Sequence, residues 1–210
     1  MLSKKFICAT REYSTYKDFV PSPYFRKTFI AYDVPKKCTV TIGGLGFYEI
    51  FINGHKITKG ILAPYISNPD HMVYYDEYDI TEYINEGKNI LGIQLGNGMQ
   101  NATGGEIWDF DKEDFRGAPR VAFAIEIESF DGSVNVIEAD QRVKTAFSPV
   151  IFDDLRNGCF YDARLEIPMQ GLFPEYDYGF YMLGDKMQMV ITSGLSGYKF
   201  IPRFLNLPEI

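Results

Sequence analysis

The chain of 210 residues contains little histidine and little cysteine, and both shortages limit the sites that it can build. Two histidines are too few for a two-metal centre, which needs several histidine, aspartate and asparagine side chains converging on one point. The three cysteines, Cys8, Cys38 and Cys159, include no CxxC pair. The sequence therefore predicts buried free thiols in a reducing compartment, and neither a disulfide framework nor a zinc site.

Clusters of basic residues and long apolar runs are also missing. The formal net charge is -7, and no block of lysine or arginine occurs. Binding of nucleic acid or of an anionic membrane requires concentrated positive charge, so the composition argues against both partners. No apolar run reaches the length of a signal peptide or of a membrane span, which predicts a cytoplasmic location.

What the sequence does contain is typical of a β-protein. Hydrophobic residues make up 46% and aromatic residues 16% of the chain, and short alternating segments follow one another from Phe25 to Tyr161 between turn signals. Asn53-Gly54 separates two of these segments and predicts a type I′ hairpin turn, because both of its central positions need a positive φ. The pattern predicts an all-β jelly-roll sandwich, in which Asp79-Ile-Thr-Glu82 starts one short helix.

The composition along the chain divides it into three parts. Residues 1–23 are largely polar and end in Pro21-Ser22-Pro23, which predicts an N-terminal arm. Residues 24–165 carry the alternating segments of the sandwich, and residues 166–210 are expected to form a short β-rich C-terminal appendage. Within the sandwich, residues 96–118 form an irregular stretch whose length favours a binding or edge-covering role.

Several short motifs resemble one known family. They occur in the expected order over about 120 residues and are GFYEIFING (46–54), LAP (62–64), YDEYDIT (75–81), GKN (87–89), LGNG (95–98), SP through FDD (148–154) and YDAR (161–164). Together they are similar to the N-terminal β-sandwich domain of bacterial α-L-rhamnosidases. The chain departs from the family pattern at Met99, where an aromatic residue is usual, and at Cys159, where an acid is usual.

The resemblance implies an accessory role. Enzymes of this kind release terminal L-rhamnose with inversion, using an acid and a base in a helical barrel downstream of the sandwich. No such barrel fits in the remaining residues, so we expect a truncated, non-catalytic module and assign no catalytic residue. Its expected partners are a rhamnose-containing glycan and the catalytic barrel of a parent enzyme.

The last part of the chain resembles a different family. Residues 167–181, 190–197 and 202–210 are similar to the C-terminal end of calcineurin-like metallophosphoesterases, which closes on R-F-x-N-x-P-E-I. The metal ligands of that family lie upstream and are absent, so this resemblance implies a chimera joined between Arg164 and Pro168. A gene fusion, a deletion and an assembly error are left open as its origin. Exposed edges of the tail strands would favour self-association.

Two groups of residues are candidates for ligand binding. Aromatic rings stack on the C–H faces of sugars and side-chain amides hydrogen-bond to hydroxyl groups, so the candidate carbohydrate contacts are Tyr65, Asn97, Asn101 and Trp108. The alternative for the tryptophan is to anchor its own loop on the sandwich. The candidate calcium ligands are Asp109 and Asp111, which carry hard oxygen atoms at alternate positions, although a solvated acidic loop explains the same pattern.

Three functions from different classes remain open at the level of the sequence. The favoured one is an accessory module of an α-L-rhamnosidase-like glycoside hydrolase, which presents substrate or packs on the barrel. The second is an independent, lectin-like domain that binds rhamnose, with calcium as its only candidate cofactor. The third, a metallophosphoesterase fragment, depends on the tail alone.

Overall fold

The computed structural model of the protein describes residues 5–15, 17–60, 62–103, 109–165, 188–189, 191–194 and 200–202. Its strands are β1 (Lys5–Cys8), β2 (Pro23–Ala31), β3 (Lys37–Leu45), β4 (Tyr48–Ile52), β5 (His55–Lys56), β6 (Val73–Asp79), β7 (Gly87–Leu95), β8 (Arg120–Glu128), β9 (Val134–Glu138), β10 (Lys144–Phe147), β11 (Val150–Asp154), β12 (Gly158–Tyr161), β13 (Gln188–Met189), β14 (Ile191–Gly194) and β15 (Phe200–Pro202). The helical elements of these residues are the short 3₁₀ helices η1 (Thr81–Tyr83), η2 (Phe110–Lys112) and η3 (Ala163–Leu165). None of the helices in the described ranges has the length and apolar character needed to cross a bilayer.

The strands form two large sheets and one separate hairpin. The first sheet has the order β14-β1-β8-β3-β6-β15, with β9 also paired to β8, and the second has the order β13-β10-β2-β7-β4-β5. Antiparallel pairs β2–β7, β3–β6 and β4–β5 nest inside one another, which is the connectivity of a jelly roll. The hairpin consists of β11 and β12. The predicted all-β jelly-roll sandwich is therefore confirmed.

The core lies between the two large sheets and is built by alternate residues of each strand, because successive side chains of a strand point to opposite faces. In β8 the inward residues are Val121, Phe123, Ile125 and Ile127, none of which is more than 5% exposed. From the second sheet, Leu91 and Ile93 of β7 and Ile50 of β4 meet them in the same core cluster.

The hairpin turn predicted at Asn53-Gly54 is present, with φ angles of 48° and 94° at its two residues. The asparagine also ties the turn to the rest of the sandwich. Its Nδ2 donates to the Tyr83 carbonyl at 2.8 Å and to Asn89 Oδ1 at 2.7 Å, and its Oδ1 accepts from the Ile90 amide at 2.9 Å. The side chain thus joins the β4–β5 turn to η1 and to the start of β7.

The predicted short helix is a single 3₁₀ turn, η1. The Asp79 carboxylate accepts hydrogen bonds from the Thr81 hydroxyl at 2.6 Å and from the Thr81 amide at 3.0 Å. These two bonds hold the pKa of Asp79 below its usual range. Thr81 Oγ1 in turn accepts from the Cys38 amide at 2.8 Å, which fixes η1 on the beginning of β3.

A buried carboxylate links the two large sheets. Asp76 of β6 is 0% exposed, and its Oδ2 accepts a hydrogen bond from the hydroxyl of Tyr48, which belongs to β4 in the other sheet. Tyr78 of β6 donates to the same oxygen at 3.3 Å. Burial, together with the neighbouring Tyr78 and Asp76, raises the pKa of Tyr48 well above its ordinary value, so its hydroxyl stays a donor at physiological pH.

The N-terminal segment differs from the predicted polar arm. Residues 5–8 form β1, in which Phe6 and Ile7 are both 0% exposed. The strand lies between β8, through the pair Ile7–Val121, and β14. The sequence did not reveal it because a strand of four residues is too short to show a period-two pattern, and its partners lie far along the chain.

The glycine pair Gly43-Gly44 lies inside β3, which continues to Leu45. A Cβ atom on Gly44 would come within 2.7 Å of the Tyr48 ring. The small residue therefore makes room for the buried tyrosine, and it does not end the strand.

The C-terminal strands extend both large sheets. In the described part of residues 166–210, β13 pairs with β10, β14 with β1, and β15 runs parallel to β6. Association between copies through strand edges stays a prediction.

Because β1 is a core strand, replacing its phenylalanine should destabilise the fold. We expect Phe6→Ala to lower the free energy of unfolding by about 3–5 kcal/mol, the usual effect of removing a buried aromatic ring. The matched control is Lys5→Ala, at an exposed position of the same strand, with an expected effect within about 0.5 kcal/mol. Urea unfolding measures both, and equal small effects would mean that β1 is not part of the core.

Candidate functional site

The hairpin of β11 and β12 presents a group of exposed apolar side chains. At its base Phe152 is 5% exposed, and its ring lies 4.7 Å from that of Phe19 and 5.2 Å from that of Phe160, measured between centroids. The exposed apolar residues of the hairpin and of the segments beside it, which we call the hairpin surface, are Phe19 (47% exposed), Leu155 (40%), Phe160 (56%), Tyr161 (55%) and Leu165 (47%). Exposed apolar groups of this kind mark interaction sites.

Asp153 of β11 fixes the hairpin to the sandwich. Its Oδ1 accepts from the Ser22 hydroxyl at 2.6 Å and from Asn97 Nδ2 at 2.6 Å, and its Oδ2 accepts from the Asn97 amide at 2.7 Å. One carboxylate therefore joins the hairpin, the segment before β2 and the loop after β7.

The asparagines expected to contact sugar are part of this interior network. Asn97 and Asn101 are 2% and 1% exposed. Asn97 Oδ1 accepts from Asn101 Nδ2 at 2.6 Å, and Asn101 Oδ1 accepts from the Ser14 amide at 2.9 Å. Because both side chains are buried and hydrogen-bonded to protein groups, the structure gives them a structural role in place of the predicted sugar contact.

Glycines allow the close approach that this network requires. A Cβ atom on Gly96 would lie 3.0 Å from Asp153 Oδ2, and one on Gly46 would lie 2.3 Å from the Gly96 carbonyl oxygen. Gly46 also has a φ of 119°, which side-chain-bearing residues rarely adopt. The glycines of the motifs at 46–54 and 95–98 therefore serve packing and backbone conformation.

Asp153 and Asp154 do not form an acid and base pair. Burial raises the pKa of Asp153, and this effect outweighs the hydrogen bonds from Ser22 and Asn97, which lower it. Asp154 has separate partners: its Oδ1 accepts from the amide of Asn157 at 2.9 Å, and its Oδ2 accepts from the Thr103 hydroxyl at 3.1 Å. The first carboxylate holds segments together and the second closes the β11–β12 turn.

Of the other carbohydrate candidates, the structure places Tyr65 at the surface. Its ring is 43% exposed and stands edge-on to Tyr74 at a centroid distance of 6.3 Å. The neighbouring cavity, which Met99 and Phe115 help to line, has a volume of about 40 Å³, whereas ligand pockets usually have roughly 300–1,000 Å³. Trp108 lies outside the described residues.

The two candidate calcium ligands do not form a recognisable site. Asp109 has a φ of 51° and its carboxylate pairs with Lys112 Nζ at 2.8 Å. Within the described ranges, no three or more His, Cys, Asp or Glu side chains are grouped as metal ligands. Calcium binding at Asp109 and Asp111 stays a prediction without support from the structure.

The three cysteines are free, as predicted, but only Cys8 and Cys38 are buried. Burial, with a smaller contribution from Asp79, raises the pKa of Cys38 to about 12, and burial also raises the pKa of Cys8. Cys159 lies exposed on β12, against the expectation of burial, because this residue belongs to the hairpin and not to either large sheet. The predicted reducing, cytoplasmic compartment stays a prediction.

The nested strands, with the hairpin held at their side, define the class of a jelly-roll β-sandwich domain. The sequence profile described as "Alpha-L-rhamnosidase N-terminal domain" matches residues 33–173. The chain therefore belongs to the α-L-rhamnosidase N-terminal domain family.

Similar proteins support this membership. An α-L-rhamnosidase of Formosa agariphila is 36% identical over 170 residues, which cover 75% of this chain and 17% of the relative. An α-L-rhamnosidase of Streptomyces avermitilis is 30% identical over 122 residues, which cover 58% of this chain and 12% of the relative. The solved α-L-rhamnosidase of Dictyoglumus thermophilum has a TM-score of 0.79 at 27% identity and covers 95% of this chain and 22% of that structure. The chain thus spans less than a fifth of these two curated relatives.

The comparisons also bear on the tail. The family match continues to residue 173, past the boundary predicted near residue 165. The resemblance of residues 166–210 to metallophosphoesterases receives no support from the comparisons, and the chimera that it implied stays a prediction.

The Asp153 network can be tested by removing the carboxylate. Asp153→Ala leaves the donors of Ser22 and Asn97 without an acceptor and should lower the free energy of unfolding by about 3 kcal/mol at pH 7. Glu138→Ala, which removes an exposed carboxylate of β9, is the control, with an expected change within about 0.5 kcal/mol. Chemical unfolding of the three proteins measures the difference.

The pKa of Asp153 predicts how the loss of stability caused by Asp153→Ala changes with pH. A folded-state pKa raised above the ordinary value of 3.8 means that protonation favours the folded state. The cost of Asp153→Ala should therefore increase as the pH is lowered from 7 towards 3.8. A cost that shrinks on acidification would show that the hydrogen bonds, not burial, dominate the pKa.

Proposed function

We propose that this chain is a non-catalytic accessory module of an α-L-rhamnosidase-like glycoside hydrolase, and that it packs against a catalytic barrel through the hairpin surface. The observation that carries the proposal is the group of exposed apolar side chains on and beside a hairpin that Asp153 ties to the sandwich by hydrogen bonds. Large aromatic residues are the usual anchors of protein interfaces. A surface that is already ordered loses little conformational entropy on binding.

The interior carboxylates support a non-catalytic role. An inverting glycosidase needs an acid and a base about 6.5–9.5 Å apart, both accessible to sugar and water. Asp76 is fully buried on Tyr48 and Tyr78, and Asp153 is engaged by Ser22 and Asn97. Both carboxylates therefore have protein partners in place of a substrate.

The packing role predicts a specific loss on changing the hairpin surface. The binding partner in this test is the Formosa agariphila relative from which the residues that match this chain have been deleted. This shortened relative is mixed with the present chain. We expect a complex, and we expect Phe160→Ser to weaken it at least about tenfold, the effect of losing one buried aromatic anchor. Affinity is measured by calorimetry, with hydrolysis of an aryl α-L-rhamnoside as a second readout.

The matched control is Phe130→Ser, at a ring that is 79% exposed on the β8–β9 turn, away from the hairpin. Its affinity should stay within about threefold of the unchanged chain, since surface residues outside an interface contribute little. Equal losses for both variants, no complex at all, or rhamnoside hydrolysis by this chain alone would each contradict the proposal.

A second candidate function is direct binding of a rhamnose-containing glycan, favoured by the half-exposed ring of Tyr65. Because the cavity beside this ring is only about 40 Å³, we expect millimolar L-rhamnose to give no heat and no thermal shift, with or without calcium. Calorimetry on the unchanged chain and on Tyr65→Ala decides the question. Saturable binding that Tyr65→Ala removes would establish a lectin-like role.

A further inference from the structure

The chain contains the pairs Asn53-Gly54, Asn97-Gly98 and Asn157-Gly158, in which an asparagine is followed by glycine. Such a pair is prone to spontaneous loss of the side-chain amide, because glycine has no Cβ atom to keep its own amide nitrogen away from the asparagine Cγ. The reaction needs no enzyme. The structure around each pair therefore decides which of the asparagines reacts.

Two of these asparagines are held at both ends of the side-chain amide. The amide of Asn53 makes three hydrogen bonds, which join the β4–β5 turn to η1 and to the start of β7. Asn97 Nδ2 donates to the carbonyl and to the carboxylate of Asp153 at 3.1 and 2.6 Å, and Asn97 Oδ1 accepts from Asn101 Nδ2 at 2.6 Å. Neither amide can turn towards the following glycine without breaking these bonds.

Asn157, in the turn between β11 and β12, is held far less firmly. Both Asn157 and Gly158 are exposed. Asn157 Nδ2 donates one hydrogen bond, to Asp154 Oδ1 at 3.1 Å, and its Oδ1 accepts none from the residues that the structure describes. The Cγ atom of Asn157 is therefore the most accessible of the three.

The β11–β12 turn can also open at little cost. The two strands form a sheet of their own, and every residue from 155 to 161 is exposed. A hairpin of two strands is marginally stable by itself, and segments with few buried contacts open locally at a small free-energy cost. The other two pairs directly follow or lie near Ile52 of β4 and Leu95 of β7, both 0% exposed. Opening at those places would disturb the core.

The reaction is balanced with water as its co-reactant. The Gly158 nitrogen forms a bond to Asn157 Cγ, the bond from Cγ to Nδ2 breaks, and Nδ2 leaves as ammonia with the proton that the Gly158 nitrogen gives up. Water then opens the five-membered succinimide at one of its two carbonyl groups, which yields aspartate or isoaspartate. One water molecule is consumed, one ammonia molecule is released, and nothing is oxidised or reduced.

We propose that Asn157 is a site of spontaneous deamidation, selected from the three Asn-Gly pairs by its local structure. The product has a new carboxylate close to Asp154, and the isoaspartate form adds a methylene group to the backbone of the turn. Both changes oppose the hydrogen bonds, each of 2.9 Å, by which the amides of Arg156 and Asn157 close the turn on Asp154 Oδ1.

The modification should therefore loosen the hairpin beside Leu155, a residue of the hairpin surface. An effect of this loosening on packing against a barrel rests on the proposed function. The modification itself does not, because it depends on the exposure and hydrogen bonding of Asn157 alone.

The test incubates the full chain at mildly alkaline pH, both folded and unfolded in guanidinium chloride. Cleavage by trypsin at Lys56 and Lys112 places the three asparagines in different peptides, and mass spectrometry measures the replacement of amide by carboxylate in each. In the folded protein we expect Asn157 to react within about threefold of its rate in the unfolded chain. Asn53 and Asn97 should react at least about tenfold more slowly than in the unfolded chain, because their reaction requires local opening.

The variant Asn157→Gln is the matched control. It should abolish the mass change in its own peptide and leave the other two peptides as before, since the longer side chain would have to close a less favourable six-membered ring. Hydrogen exchange of the β11–β12 amides should become faster on ageing of the unchanged chain. It should stay as in the fresh protein for the aged variant.

Several results would overturn the proposal. They are protection of Asn157 equal to that of Asn53 and Asn97 in the folded protein, no reaction at Asn157 in the unfolded chain, and equal loosening of the hairpin on ageing of the unchanged chain and of Asn157→Gln. Unchanged hydrogen exchange in the aged chain would contradict the expected loosening. None of these measurements involves a binding partner, so a failure of packing on the relative's barrel leaves them unaffected.

Discussion

A carboxylate that is buried away from water must accept hydrogen bonds from protein donors. This constraint fixes the arrangement of the chain at the two places where distant segments come together. Asp76 meets the hydroxyls of Tyr48 and Tyr78 between the sheets. Asp153 meets Ser22 and Asn97 beneath the hairpin. A network with every member satisfied specifies a single arrangement, since any other pairing leaves a buried group without its partner. The position of the hairpin surface follows from the second of these networks.

The motifs that identify the family are explained by these contacts. The tyrosine of the motif at 46–54 donates to the aspartate of the motif at 75–81, and the asparagine of the motif at 95–98 donates to Asp153. Gly46 and Gly96 allow the backbones to approach. A sequence pattern can thus mark a family through its folding requirements.

Local chemistry made much of the fold predictable. The Asn53-Gly54 turn and the alternating segments of the sandwich depend on neighbours in the sequence, and both were found as expected. Long-range pairing was not predictable in the same way. Asn97 carries a side-chain amide of the kind that can bind a sugar. It is an interior residue because it donates a hydrogen bond to Asp153, which lies 56 residues away in the sequence. Lys144 and Arg26 likewise become neighbours only through strand register.

The position of β1 also affects how the chain reaches its native state. The partners of β1 lie far along the chain, since β8 begins at Arg120 and β14 begins at Ile191. Pairing over such separations is slow, because the intervening loop must close before any contact compensates for the entropy that closure costs. The first sheet is therefore complete only after these distant segments have come together, and until then Phe6 and Ile7 are apolar side chains without a core, open to chaperones.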